Sequence, residues 1–93
     1  MYGTCAKARV APENRAALDE IFSAQSSDPA PGFVRAYTLF ENDSDVIWMF
    51  AVFEDRESYD RNADDPKQHE QYTRYRALML EEPEWHDGEI VGM

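Results

Sequence analysis

Eight consecutive apolar residues, Val46-Ile47-Trp48-Met49-Phe50-Ala51-Val52-Phe53, constrain this chain more than any other feature. A membrane-spanning helix needs about 20 such residues, so the run is too short to cross a bilayer. Its β-branched and aromatic make-up reads as a strand. A strand sends successive side chains to opposite faces. One face here carries Val46, Trp48, Phe50 and Val52, and the other carries Ile47, Met49, Ala51 and Phe53. An antiparallel sheet with one wet face alternates apolar and polar residues along each strand. This run does not alternate, so both of its faces need cover.

The rest of the chain says how much cover is available. Tyr2 to Val10 reads as a first strand, and Pro12 suits the first position of a helix whose buried stripe is Ala17, Leu18, Ile21 and Phe22. The stretch Ser26 to Gly32, with Pro29 and Pro31, turns the chain into a strand over Phe33 to Glu41. Asn42-Asp43-Ser44-Asp45 is a hairpin loop by its chemistry, leading to the third strand, Val46 to Glu54. Asp55 is placed to cap a short helix over Arg56 to Ala63. Asp65-Pro66-Lys67-Gln68 then sets an N-cap, a first-turn proline and a capping-box partner for a further helix, which Pro83 is expected to stop. Trp85 to Val91 closes the chain as a fourth strand.

The order is β-α-β-β-α-β with the second helix broken in two. It predicts an α+β, ferredoxin-like domain with a four-stranded antiparallel sheet and its helices on one face. The 93 residues suffice for a single domain, 1–93, and leave nothing to cover the second sheet face. Exposing three or four large apolar side chains forfeits roughly 1.5–3 kcal/mol each. That rivals the whole stability of a domain, about 5–15 kcal/mol. A second copy packed sheet against sheet is the simplest cover, so a homodimer is expected.

Composition excludes several classes. Nineteen acidic residues against nine basic ones give a net charge of −10, and the basic residues form no run. Such an acidic protein repels phosphate backbones, so nucleic acid is not expected as a partner. Neither a membrane nor a secretory leader is indicated, and a lone Cys5 without a disulfide framework fits a cytoplasmic setting. The four glycines are scattered, so no phosphate-binding loop is present. No G-x-S-x-G elbow occurs, and His69 and His86 lack the spacing of a metal site. No metal or cofactor is expected.

What remains is a cluster of aromatic and polar residues around the broken helix: Tyr59, Asn62, His69, Tyr72, Tyr75 and Arg76. On an ideal helix His69, Tyr72 and Arg76 share a face at steps of three and four. If that face meets the sheet near Trp48 or Tyr37, it forms an apolar pocket with a few polar points, the kind that holds planar small molecules. Each residue also has a plainer role open to it. Tyr and Trp at such spacing commonly fill cores and interfaces, and Arg76 and His69 suit a solvated surface.

At this point the chain resembles the antibiotic biosynthesis monooxygenase-like proteins of the dimeric α+β barrel superfamily. The resemblance runs over nearly the whole chain. It rests on the opening strand with Pro12 after it, Pro31-Gly32-Phe33, the run Trp48 to Glu54, Ser58-Tyr59 and Asn62-Ala63-Asp64-Asp65-Pro66. It implies a homodimer with facing sheets and a cavity between helices and sheet in each subunit. Some members oxidise polycyclic aromatics with molecular oxygen and neither metal nor flavin, helped by Asn, Trp, Tyr and Arg side chains. The resemblance therefore implies Trp48, Asn62, Tyr72 and Arg76 as helpers by residue type. Taken with the cluster above, Asn62, Tyr72 and Arg76 are the catalytic candidates, and Tyr37, Trp48, Tyr59 and His69 the ligand contacts. Many members carry His where this chain has Asn62. The haem-degrading branch needs a Trp in the short helix and a His further on, where Asn62 and Tyr72 stand here, so haem oxygenation is disfavoured.

Three functions stay open on this reading. The first is a cofactor-independent monooxygenase acting on a small phenolic or quinone-like metabolite. The second is a non-catalytic or stress-associated dimer that holds such a ligand unchanged. The third is an interaction module whose aromatic residues only fill the barrel.

Overall fold

Residues 1–92 are described in a computed structural model of the chain. They form β1 (Tyr2–Arg9), a 3-10 turn (Pro12–Asn14), α1 (Arg15–Ser27), β2 (Phe33–Phe40), β3 (Val46–Phe53), α2 (Arg56–Ala63), α3 (Pro66–Arg76) and β4 (Glu84–Glu89). The four strands make one sheet in the order β2-β3-β1-β4, and all three pairings are antiparallel. The expected ferredoxin-like arrangement is what the chain adopts.

Register shows which set of β3 side chains the helices cover. Ile47, Met49 and Ala51 lie opposite Ala8, Ala6 and Thr4 of β1. The small residues on β1 leave room for Leu18 of α1 and Tyr75 of α3 to pack down onto the sheet. Leu18 and Ile47 are fully buried, joined by Val10, Met49, Tyr75 and Met79 in one core. The other β3 set lies opposite Gly3, Cys5, Lys7 and Arg9, and no helix reaches it. On that open face Tyr37 is 57% exposed, Leu39 50% and Phe50 37%.

Local chemistry explains the helix ends, with corrections to the sequence reading. The expected helix from Pro12 opens as a 3-10 turn and becomes α-helical only at Arg15. Asp55 caps α2 by accepting from the Ser58 N–H at 2.8 Å. Gly32 turns the chain into β2 at φ 84°, and a Cβ there would strike the Ser58 side chain at 2.3 Å. Asp65 caps α3 by accepting from the Lys67 N–H at 2.9 Å. The second half of the expected capping box is not made, because the Asp65 N–H already donates to the Asn62 carbonyl at 3.1 Å.

Pro83 does not end α3. The helix stops at Arg76, and the next turn carries Met79 into a bridge with Val10. Leu80 N–H then donates to the Arg9 carbonyl at 2.8 Å, continuing the edge of β1. The last strand is also shorter than expected, ending at Glu89. No helix among the described residues is long and apolar enough to cross a membrane.

Candidate functional site

The break between α2 and α3 is what opens a space on the helix side of the sheet. One continuous helix would lie flat on β3 and β1. Instead α2 ends at Ala63, the Asn62 carbonyl accepts the Asp65 N–H, and α3 leaves in a new direction. Between α1, α2, α3 and the sheet lies a cavity of about 880 Å³. That lies within the usual size of small-molecule sites, about 300–1,000 Å³.

Its floor is the helix side of the sheet, with Thr4, Ala36, Met49, Ala51 and Phe53 among the residues lining it. Aromatic rings form the walls. Tyr72 stands edge-on to Tyr75 with centroids 5.3 Å apart, and it leans on Trp85 of β4 at 6.2 Å. Phe22 of α1 meets Tyr75 edge-on at 5.3 Å. Phe53 sits between Phe33 and Tyr59 at 5.7 and 5.6 Å. Such edge-to-face arrays hold each ring's angle and leave flat faces for a planar guest.

Polar groups are few and differ in freedom. Tyr59 is committed: its hydroxyl donates to the Asp87 carboxylate at 3.0 Å, tying α2 to β4. Burial, and then that carboxylate, push the Tyr59 phenol up to about 12. Tyr59 therefore keeps its proton at neutral pH and cannot serve as a base. Burial likewise raises Tyr75, with Tyr72 beside it as a second cause. The Gln25 side-chain amide donates to the Gln71 oxygen across α1 and α3 at 2.8 Å. By contrast the Asn62 side-chain amide and the Tyr72 and Tyr75 hydroxyls line the cavity without a hydrogen-bond partner among the described residues. Asn62 and Tyr72 are half-buried, so a ligand can reach them.

The structure brings five of the sequence candidates to this cavity and leaves two outside it. Asn62, Tyr72, Tyr59, His69 and Tyr37 line it, with His69 exposed at the mouth and Tyr37 at the β2 rim. The Tyr37 hydroxyl accepts from Arg35 at 3.0 Å, and both residues belong to the open sheet face. Trp48, expected against the α3 face, is placed on the opposite side of the sheet by strand alternation. There its indole N–H donates to Glu41 at 3.2 Å, and the Lys7 ammonium lies 5.7 Å from its ring. Arg76 stands at the C-terminal end of α3, donating to the Met79 carbonyl at 3.4 Å, and does not line the cavity. It serves the helix end, where a cation complements the unpaired carbonyls.

Sequence reading passed over Phe22 and Gln25 on α1, Asp28 at its C-terminal cap, and Trp85 on β4. Phe22 was visible as part of the apolar stripe on α1, and Gln25 lies one helical step beyond it. Trp85 carried no signal of its side, because β4 is too short and too polar to show alternation. Among the described residues, no group of three or more His, Cys, Asp or Glu is placed to hold a metal ion.

An α+β sheet domain with a broken second helix and an aromatic cavity beneath it defines a class seen in solved structures. No family model matches the sequence, and no curated protein does. The fold, however, is that of antibiotic biosynthesis monooxygenase family proteins over nearly the whole chain. A Chloroflexus aurantiacus J-10-fl protein assigned by name to that family is 27% identical, with a TM-score of 0.77 over 99% of this chain and 94% of its own. A variant of SnoaB, a cofactor-independent oxygenase from Streptomyces nogalater, is 23% identical, with a TM-score of 0.82 over 99% and 94%. A Streptomyces coelicolor monooxygenase solved with nanaomycin D is 19% identical, with a TM-score of 0.83 over 99% and 88%. The resemblance noted in the sequence thus holds for the fold.

Proposed function

We propose that this chain is a cofactor-independent monooxygenase acting on a small phenolic or quinone-like aromatic, bound in the helix–sheet cavity of each protomer of a homodimer. The observation that carries the proposal is the cavity itself: aromatic walls around a few unpaired hydrogen-bond donors. The oxygenase and monooxygenase neighbours support it, one of them solved with nanaomycin D.

The chemistry asks little of the protein. A substrate with an activated CH2 between aromatic rings, such as an anthrone, loses one C–H proton to solvent. The resulting anion carries much of its charge on the ring oxygen. The Asn62 amide and the Tyr72 hydroxyl are the donors placed to hold that oxygen, which lowers the cost of forming the anion. The anion then reduces oxygen at carbon, a C–O bond forms, and a proton completes the hydroperoxide. Loss of water leaves a ketone. One oxygen atom ends in the product and the other in water, and the substrate supplies all the electrons.

The dimer rests on the open sheet face. Tyr37, Leu39 and Phe50 are its most exposed apolar members, with half-buried Trp48 beside them. Burial of such a patch against a second copy removes apolar area from water on both partners.

The test is oxygen uptake with a panel of anthrones and hydroquinones, compared with their spontaneous oxidation. Uptake above background that saturates with substrate supports the proposal. Rates equal to background contradict it, and saturable binding without uptake would instead establish a ligand-holding dimer.

A further inference from the structure

The charges at the cavity mouth are uneven. Five ionisable side chains other than tyrosines line the cavity: Asp19, Asp28, Asp65, Lys67 and His69. All are exposed, which places them at the opening rather than on the floor. Among the described residues Lys67 is the one full cation of the lining, and it is bound to Asp28 in an ion pair that joins α3 to the C-terminal cap of α1. That pairing holds the Asp28 carboxyl below its ordinary range and the Lys67 ammonium above its own, so the two neutralise each other near neutral pH. Asp19 and Asp65 add two carboxylates without an ion-pair partner among the described residues, Asp65 also accepting the Lys67 N–H at the start of α3. No arginine among the described residues lines the cavity. Asp87 adds a further carboxylate on the helix side of β4, already holding the Tyr59 hydroxyl.

The walls point the same way. Tyr72, Tyr75, Phe22, Phe53 and Trp85 turn aromatic rings toward the cavity, and ring faces attract cations. A low-dielectric cleft lined by one sign of charge concentrates ligands of the other sign. The chain as a whole carries a net charge of −10, so its long-range field adds to this local one.

We propose that the cavity selects its ligand by charge: a planar aromatic with a basic amine binds ahead of its uncharged counterpart, and a carboxylate- or phosphate-bearing one is turned away. This rests on the cavity being the ligand site, and adds the class of ligand it admits. Asp19 and Asp65 are the specificity-determining residues. Lys67 is prevented from acting as an anion anchor by Asp28.

The experiment is fluorescence-quenching titration of the purified protein with three matched probes: aminomethylanthraquinone, methylanthraquinone and anthraquinone carboxylate. The expected order is amine, then methyl, then carboxylate, with at least tenfold between the first and last at low salt. Raising the salt should narrow that gap, because exposed charges are screened. Asp19→Asn with Asp65→Asn should shrink the amine-to-carboxylate ratio severalfold, and Asn still serves as the α3 cap. Asp28→Asn, which frees Lys67, should restore some carboxylate binding. Equal affinity for the three probes, or a preference for the carboxylate, would overturn the charge proposal while leaving the cavity as a ligand site. Failure of all three to bind would overturn it together with the reading on which it rests.

Discussion

The two faces of this sheet start from nearly the same material and end in different states. On β3, Ile47, Met49 and Phe53 are buried beneath the helices. Their neighbours Trp48 and Val52 are only half-buried, and Phe50 is 37% exposed, on the side that no helix covers. The same apolar strand therefore serves as core on one side and as an uncovered surface on the other. The helix-covered side is not filled throughout. Where α2 gives way to α3 it opens into the cavity, and there polar groups stand without partners. The comparison teaches that burial by the chain's own helices makes both core and cavity, whereas the chain's own helices leave the open face uncovered.

Substitutions that treat the faces unequally test that division. Ile47→Ala removes a fully buried side chain and should cost about 2–5 kcal/mol in urea unfolding. Phe50→Glu, one strand position class away, should leave the folded protomer intact but drive it to a monomer in sedimentation. A dimer that survives Phe50→Glu and Leu39→Glu together would break the account of the open face. A smaller effect concerns acid. Hydrogen bonds from the Ser58 hydroxyl and N–H hold the Asp55 carboxyl below its ordinary value of 3.8. A lowered carboxylate stabilises the fold above that value and loses its contribution as pH falls through the folded value. Asp55→Asn keeps an oxygen to cap α2, so its melting temperature should fall less steeply than the wild type's below the carboxylate range. An unchanged acid slope would mean that this cap does not titrate with folding.

Much of this was legible in the sequence, for physical reasons that also mark the limit. The element order could be read because Pro12, Gly32, Asp55 and Asp65-Pro66 are strong local signals at helix and turn boundaries. The break after Ala63 could be read for the same reason. What could not be read was which face of β3 the helices take. Both sets of side chains are apolar, so alternation carries no direction there. The cue was on β1, where Ala6 and Ala8 alternate with Lys7 and Arg9. Only the register, with Lys7 opposite Trp48, passes that direction to β3. That is why Trp48, expected with the helix face, stands on the open one, and Tyr37 reaches the cavity only from its β2 rim.

Asn62 and Tyr72 came out in the cavity because their placement depends on helix ends that the sequence marks well. Arg76 did not, since α3 ends there and its side chain turns to the Met79 carbonyl in the turn that follows. Asp28 and Trp85 depended on tertiary contacts across α1, α3 and β4, which no local pattern encodes.

The most direct measurement is steady-state oxygen uptake by Asn62→Ala and Trp48→Ala, each compared with the wild type on one anthrone substrate at matched association state. If the helix-side cavity is the reaction site, Asn62→Ala should lose about 10²–10³-fold in kcat, the usual cost of removing one donor to a developing oxyanion. Trp48→Ala, altered on the far side of the sheet, should turn over near the wild-type rate once dimeric. Full activity in Asn62→Ala with loss in Trp48→Ala would contradict the account and move the chemistry to the open face.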